Sequence, residues 1–472
     1  MIKQFLKGVS WNLFDKLINQ LVYFFVTIYI AKVIGPADFG MIGLLMVFVL
    51  LVETTLNNGF SQALIQKNNN ATNEDFSTIF ICGVILGLLF YLLLYNLLPF
   101  LSKLVNKHEL IQAGRILLVV VIFNSFTVVP RAKLIIKLNF KTIAIINSFS
   151  GLVATLLAVL AINLGFGYWA LVLQVLTKSI FSVLLFILLK KSYFRLKFSM
   201  ESLKELLGFG IYIMLSSIIA FISNNLYLFI VTKNINFTSA GYLSQANSQT
   251  NMLSGLVSSV LQGVIFPVFS SVKTDINLLK EIYLRILEIT FLISFPLLLG
   301  FAAIAKPFTL LFLGNDWEGI IFLIVILSFA RVVTPINSLN LSLINAIGKA
   351  NLTFKIEIIK FPLTISSILL SISFGLNAVV IALLITSYLS FFINAYYFGK
   401  ILGINAYTQL KIGLIPILSS FMMFSICFYL SQYINDFLSL VILILMGILF
   451  YLISMYFLGG KLYISKVIKL FK

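Results

Sequence analysis

Some fourteen apolar stretches of bilayer-spanning length fill nearly the whole of this chain, running from about 9–33 to about 437–458. Roughly 20 mainly apolar residues carry a helix across the hydrocarbon core, and a helix satisfies its own backbone polar groups there. Composition agrees, with 61% hydrophobic residues, a mean hydropathy of +1.09 and only 10% charged residues. The fold class that follows is an all-α polytopic membrane protein. Its function lies in or across a bilayer.

Charge sets the orientation. Lys and Arg collect in cytoplasmic loops, whereas Asp and Glu carry little topological information. With the N-terminus placed inside, 24 of the 33 basic residues fall in inner segments and 6 in outer loops, while Lys16, Lys178 and Arg331 lie within spans. Both termini are therefore expected in the cytoplasm. The stretch 239–270 is a poor lipid-facing helix, because residues 244–251 read Ser-Gln-Ala-Asn-Ser-Gln-Thr-Asn. Were it not to cross, every later loop would flip and 12 basic residues would move outside. It is expected to cross with its polar half turned to protein or water.

Several function classes drop out. The net charge of +18 is spread over short inner loops, as topology and anionic lipid require, and no loop could form a nucleic-acid-binding domain. The tail Lys461–Lys472 mixes four lysines with apolar residues and suits an interfacial helix. Cys82 and Cys427 fall within spans, so no disulfide framework is implied. His108, the only histidine, lacks the companions of a metal site, and no metal or other cofactor is expected. Asp15, Lys16, Asn19 and Gln20 interrupt the first apolar run, which is expected to stay as a span rather than serve as a cleaved signal. Gly348-Lys349 lacks the upstream glycine of a phosphate-binding loop, and no nucleophile elbow appears.

A faint repeat divides the first twelve spans. Asn19-Gln20 corresponds to Asn224-Asn225, Phe39-Gly40 to Ala240-Gly241, Val129-Pro130 to Thr334-Pro335 and Phe166-Gly167 to Phe374-Gly375, all at nearly constant offset. An even number of spans per half gives an axis along the membrane normal, a transporter arrangement with the substrate site between repeats. The expected organisation is two pseudo-symmetric six-helix lobes, 1–190 and 205–402, joined by a basic cytoplasmic linker at 191–204. Two extra helices and a basic tail follow at 403–472. In the linker region Ser199 can cap a short helix, and Ser202 with Glu205 has capping-box spacing.

Polar residues inside spans are costly and are functional candidates by default. Span 1 carries Asn12, Lys16, Asn19, Gln20, Tyr23 and Thr27 on one helical face with Asp15 at its edge. Span 2 carries Glu53, Thr54, Asn57, Asn58 and Ser61; span 7 carries Ser217, Asn224 and Tyr227; span 8 carries Gln245, Ser248, Gln249, Ser259 and Gln262. One water-filled cavity would accept all four stripes, whereas interhelical hydrogen bonding would also use such residues. Lys16, Lys178 and Arg331 either pair with Asp15, Glu53 or Glu357, or attract an anionic headgroup such as a phosphate. Asp15 and Glu53 are the carboxylates available to couple a driving cation.

The local strings complete the reading. Trp11-Asn-Leu-Phe-Asp15-Lys16, Ala31-Lys-Val-Ile-Gly35-Pro36-Ala-Asp38-Phe39-Gly40, Gly59-Phe-Ser-Gln-Ala-Leu-Ile-Gln-Lys67 and Val129-Pro130-Arg131-Ala-Lys-Leu appear in order. Leu138-Asn-Phe140-Lys141, Phe198 through Gly210, Phe266-Pro267-Val-Phe-Ser270 and Leu313-Gly314-Asn-Asp-Trp317 follow. Across these the chain resembles the polysaccharide transporter, or lipopolysaccharide O-antigen flippase-like, family of the multidrug/oligosaccharidyl-lipid/polysaccharide exporter superfamily. The resemblance implies two lobes that open alternately to either side of the bacterial inner membrane. It further implies export of an undecaprenyl-pyrophosphate-linked oligosaccharide, with membrane lipid, a polysaccharide polymerase and assembly proteins as partners. A multidrug exporter of the same superfamily is the nearest rival. A membrane polymerase or glycosyltransferase is another, but the short outer loops carry no paired carboxylates, so no enzyme is expected.

Overall fold

A computed structural model describes the backbone over residues 2–67, 71–137, 139–189, 197–271 and 276–470. Side chains are described from Val22 onward, except at 66, 207, 209–210, 212–213, 259–271, 350, 461–462 and 464–470. Every regular element among the described residues is helical. Contacts divide the chain into two units, Met1–Gly241 and Tyr242–Lys472.

The first unit opens with α1 (Ile2–Leu56), which is two helices in series. Gly35 breaks it with φ 75° and ψ 171°, a conformation that favours glycine, and Pro36 starts the second part with φ already fixed for a helix. A single π turn (Asn57–Ser61) leads to α2 (Gln62–Lys67), then α3 (Asn73–Val105), α4 (Glu109–Leu117), α5 (Val119–Ile136), α6 (Phe140–Asn163), α7 (Trp169–Leu188) and α8 (Met200–Asn234). A capping box starts α3: Thr72 Oγ1 accepts from the Asp75 amide while Asp75 accepts from the Thr72 amide. Asn139 caps α6 by accepting from the Thr142 amide. Ser199 is indeed a cap, of the 35-residue α8 rather than of a short linker helix. Glu205 closes no box there and instead reaches Lys67.

Helices α1, α6 and α7 pack in sequence, α3 and α7 lie against α5, and α8 lies against α1 and α3. The unit therefore includes α8, which the repeat places at the head of the second lobe. Helix α9 (Phe237–Ser271) begins where the first unit ends. A Cβ on Gly40 would stand 2.2 Å from the Phe237 carbonyl oxygen, and one on Gly241 would stand 1.8 Å from that of Pro36. Backbone meets backbone there, and only glycine fits.

The second unit continues through α10 (Ile276–Ala303), α11 (Ala305–Phe312), a 3-10 turn (Asn315–Ile320), α12 (Ile321–Arg331) and α13 (Thr334–Ala346). It ends with α14 (Ala350–Ser371), α15 (Leu376–Leu402), α16 (Ala406–Ser431) and α17 (Phe437–Leu470). Its core gathers Tyr283, Leu287, Phe291, Phe295, Phe391 and Phe398. A buried hydrogen-bond chain ties three helices: Tyr283 donates to Asn340 at 2.6 Å, and Asn340 donates to Gln409 at 3.2 Å. The Gly314–Trp317 string is structural. Gly314 turns the chain with φ 91°, and Trp317 lies fully buried with its ring against Tyr242, whose hydroxyl donates to the Asp316 carbonyl.

Twelve helical segments among the described residues are long and apolar enough to cross a membrane. The first, Val22–Ile65, joins two of the fourteen expected spans through the Gly35 kink. The eighth expected span, α9, is absent from the twelve. At 35 residues it is ample in length, about 50 Å at 1.5 Å per residue, but only its polar first part, as far as Ser258, lies among the residues whose side chains are described. Its polar residues Gln245, Gln249, Thr250 and Ser254 are buried. A second kink, at Gly460 with φ 68°, separates the expected interfacial tail from the last span. Gly167 and Gly375 both have positive φ just before α7 and α15.

Candidate functional site: a polar cavity in the N-terminal unit

Three helices of the first unit each carry a polar stripe at helical spacing. On α5 it is Asn124, Thr127 and Arg131; on α6, Asn147, Ser150, Gly151 and Thr155; on α7, Gln174, Lys178 and Ser182. These stripes converge. Together with Tyr23, Glu53 and Asn57 they line a cavity of ≈ 480 Å³. One carboxylate and two cations therefore share walls that are otherwise amides, hydroxyls and aliphatic carbons.

Some of the lining is fixed by local bonds. Ser179 donates to Asn124 at 2.8 Å and holds α7 to α5, while Ser150 donates back to the Ile146 carbonyl. Gln174 is different. It is 2% exposed, and neither of its amide atoms finds a hydrogen-bond partner among the described residues. Leaving a buried amide unpaired costs about 1–3 kcal/mol, so such a group is uncommon without a reason.

Of the residues anticipated from sequence, the cavity unites Glu53, Asn57 and Lys178. Asn224, Gln245, Gln249 and Arg331 do not line it. Asn224 is exposed and donates to the Ala220 carbonyl of its own helix, and Gln245 and Gln249 are buried on α9. Arg331 donates to Asn247 at 2.5 Å. Glu357, offered above as a partner for Arg331, pairs instead with Lys360 one turn along α14. The side chains of Asp15, Lys16, Asn19 and Gln20, and those of Ser259 and Gln262, lie outside the described residues. Asn124, Asn147, Gln174 and Arg131 were not anticipated as lining. Arg131 counted only as a loop cation, yet it lies in α5.

A second polar cluster braces the same unit. Lys67 bridges Asp75 at 3.0 Å and Glu205 at 2.7 Å, so α2, α3 and α8 meet on one ammonium. The hydrogen bond with Glu205 is the largest cause holding Lys67 above the ordinary lysine value. Beside it, the buried hydroxyls of Ser77 and Thr78 accept the backbone amides of Lys197 and Ser199 at 2.5 Å and 3.0 Å.

A kinked leading helix, a polar pocket inside one unit and twelve apolar helices among the described residues define an all-helical polytopic membrane protein, and its fold is shared with solved transporters. The inward closed conformation of the lipid II flippase MurJ superposes with a TM-score of 0.74, covering 97% of this chain and 99% of that one at 16% identity. An inward-facing multidrug resistance MATE family transporter superposes at 0.63 with 17% identity, covering 88% of this chain and 98% of its own.

Residues 29–322 match the family described as "Polysaccharide biosynthesis protein", and the chain belongs to that family. Teichuronic acid biosynthesis protein TuaB of Bacillus subtilis is 23% identical over 354 residues, 75% of this chain and 73% of TuaB. Lipopolysaccharide biosynthesis protein WzxC of Escherichia coli is 23% identical over 352 residues, 72% and 70% of the two chains.

Proposed function

We propose that this protein is a flippase that carries an undecaprenyl-pyrophosphate-linked oligosaccharide across the bacterial inner membrane for surface polysaccharide biosynthesis. The single observation that supports it most is the polar cavity of the N-terminal unit, in a chain whose family serves polysaccharide biosynthesis. Amides and hydroxyls suit sugar, whereas a prenyl chain stays in lipid. Two six-helix lobes, 1–190 and 205–402, open alternately to either side, with α16 and α17 outside the repeat and both termini cytoplasmic. Lys16, Lys178 and Arg331 contact the pyrophosphate. Asn19, Gln20, Asn57, Asn224, Gln245 and Gln249 contact sugar, and Asp15 or Glu53 binds the driving cation. A polymerase and assembly proteins receive the cargo, and the chain itself catalyses no bond change.

Deletion of the gene tests this reading directly. Surface glycan should disappear while its lipid-linked precursor accumulates in the inner leaflet, and the wild-type gene should restore export. Within that assay Arg331→Lys should weaken export and Arg331→Gln should reduce it by about 100-fold at unchanged protein level, because a planar guanidinium can hold two phosphate oxygens at once. Export at the wild-type rate by Arg331→Gln removes Arg331 from the site. The multidrug reading is selected instead if deletion leaves surface glycan intact and slows efflux of cationic dyes.

A further inference from the structure

Arg115 is one of the six basic residues that the charge count gives to outer loops, yet the structure sets it in α4, six residues and about 9 Å beyond Glu109 along the helix axis. That helix continues into α5 as one apolar segment, Glu109–Ile136, long enough to cross a membrane. A charged side chain so placed is costly unless something answers it. The guanidinium lies over the Tyr95 ring of α3, 4.2 Å from its centroid, and Tyr95 in turn meets the Tyr91 ring at 5.8 Å. Among the described residues no carboxylate pairs with the group: Glu109 leaves α4 about 120° round from it, and Asp38 is taken by Lys107. Only Nε is shut in, without a hydrogen-bond partner, and the two terminal nitrogens stand open at the surface. A helical side chain leans towards the N-terminus of its helix, which is here the outer end, so the fork rises towards the headgroup region. The same two helices expose Leu92, Leu93, Phe100 and Ile116, a surface for acyl chains.

We infer that Arg115 and Tyr95 form a binding site for the phosphate of an anionic phospholipid of the outer leaflet, whose acyl chains lie along α3. The planar fork of the guanidinium matches two phosphate oxygens, and the ring beneath it fixes its plane. A zwitterionic headgroup suits the site less, because its ammonium would bring a second cation to a place with no acid to receive it. Hydrocarbon alone would leave the charge unanswered. Neither residue lines the polar cavity, so lipid held here does not compete with cargo there. Binding needs nothing from the flippase reading; the charge bias decides only that the leaflet is the outer one.

The test is native mass spectrometry of the full-length protein in detergent, titrated with dioleoylphosphatidylglycerol or dioleoylphosphatidylcholine. Wild type should hold one phosphatidylglycerol at least about tenfold more tightly than phosphatidylcholine, as a charge-assisted, two-pronged contact requires. Arg115→Gln should erase that preference, and Arg115→Lys, which keeps the charge without the fork, should retain part of it. Tyr95→Leu removes the platform and should weaken phosphatidylglycerol binding about threefold. Lys233→Gln removes an exposed cation elsewhere on the outer side and should change nothing. If Arg115→Gln does not fold, Arg115→Lys and Tyr95→Leu carry the same reading. Equal affinity of wild type for the two lipids overturns the inference, as does an intact preference in the Arg115 and Tyr95 variants; the arginine then only reaches interfacial water. Displacement of the bound lipid by inorganic phosphate at equal concentration would give the site to free phosphate and overturn it too.

Discussion

Lys67 shows how unequal two ion pairs on one side chain can be. Its Asp75 partner is 1% exposed, whereas Glu205 is 61% exposed. Removing the counter-charge from a buried carboxylate costs about 3 kcal/mol, while an exposed pair contributes below about 1 kcal/mol. Lys67→Gln should therefore lower the melting temperature in detergent far more than Glu205→Gln. Equal losses would show that Asp75 is satisfied by Thr72 and Ser202 without Lys67. Because the lysine sits above its ordinary value, its contribution is complete at lower pH and is lost only as pH rises through that raised value. The gap between wild type and Lys67→Gln should stay constant from about pH 7 to about pH 9. In sequence, Lys67 is one more loop cation, since nothing local announces a partner 138 residues away. Gln174 was legible in principle, standing alone in an apolar run one helical turn before Lys178. Its want of a partner was not, because that depends on what three other helices bring near it.

Among elements, the kinks were readable and the contacts were not. Gly35-Pro36 announces a break, and the structure places one there. Gly40 and Gly241 stood out as a weak repeat match, and Gly40 also as the end of a resembling string, yet they mark the tightest backbone approach among the described glycines. Gly241→Ala should destabilise by about 3 kcal/mol or more, since its Cβ would meet backbone that cannot swing aside. Gly255 lies on the same helix with nothing within 4 Å of an added Cβ. Gly255→Ala should stabilise by about 0.5–1 kcal/mol through helix propensity. Opposite shifts in thermal midpoint on one helix check both. A destabilised Gly255→Ala would mean that α9 depends on freedom at that position. The polarity of α9 was plain in its sequence. The burial that explains it needed the fold.

For the whole molecule, apolar patterning made the fold class and most spans legible, because spacing alone decides whether a helix can cross. The shared cavity was only partly legible: Glu53, Asn57 and Lys178 converge, while the α9 glutamines do not line it. The charge bias leads to a topology that chemistry can check. In a variant lacking Cys82 and Cys427, cysteine at the exposed Asn315 should react with an impermeant maleimide in intact cells, and cysteine at Glu201 only after permeabilisation. Labelling of Asn315→Cys only after permeabilisation would mean that α9 does not cross.

Ser77 and Thr78 hold residues 197 and 199 through peptide N–H groups rather than through side chains. Nineteen of the twenty amino acids offer that same group, so this anchorage outlasts a change of side chain, even though Ser199 also caps α8 and Lys197 also pairs with Glu74. Proline alone cannot be written there. The anchor is thus carried by α3, and a substitution at 197 should leave the chain seated on it, provided the two hydroxyls remain.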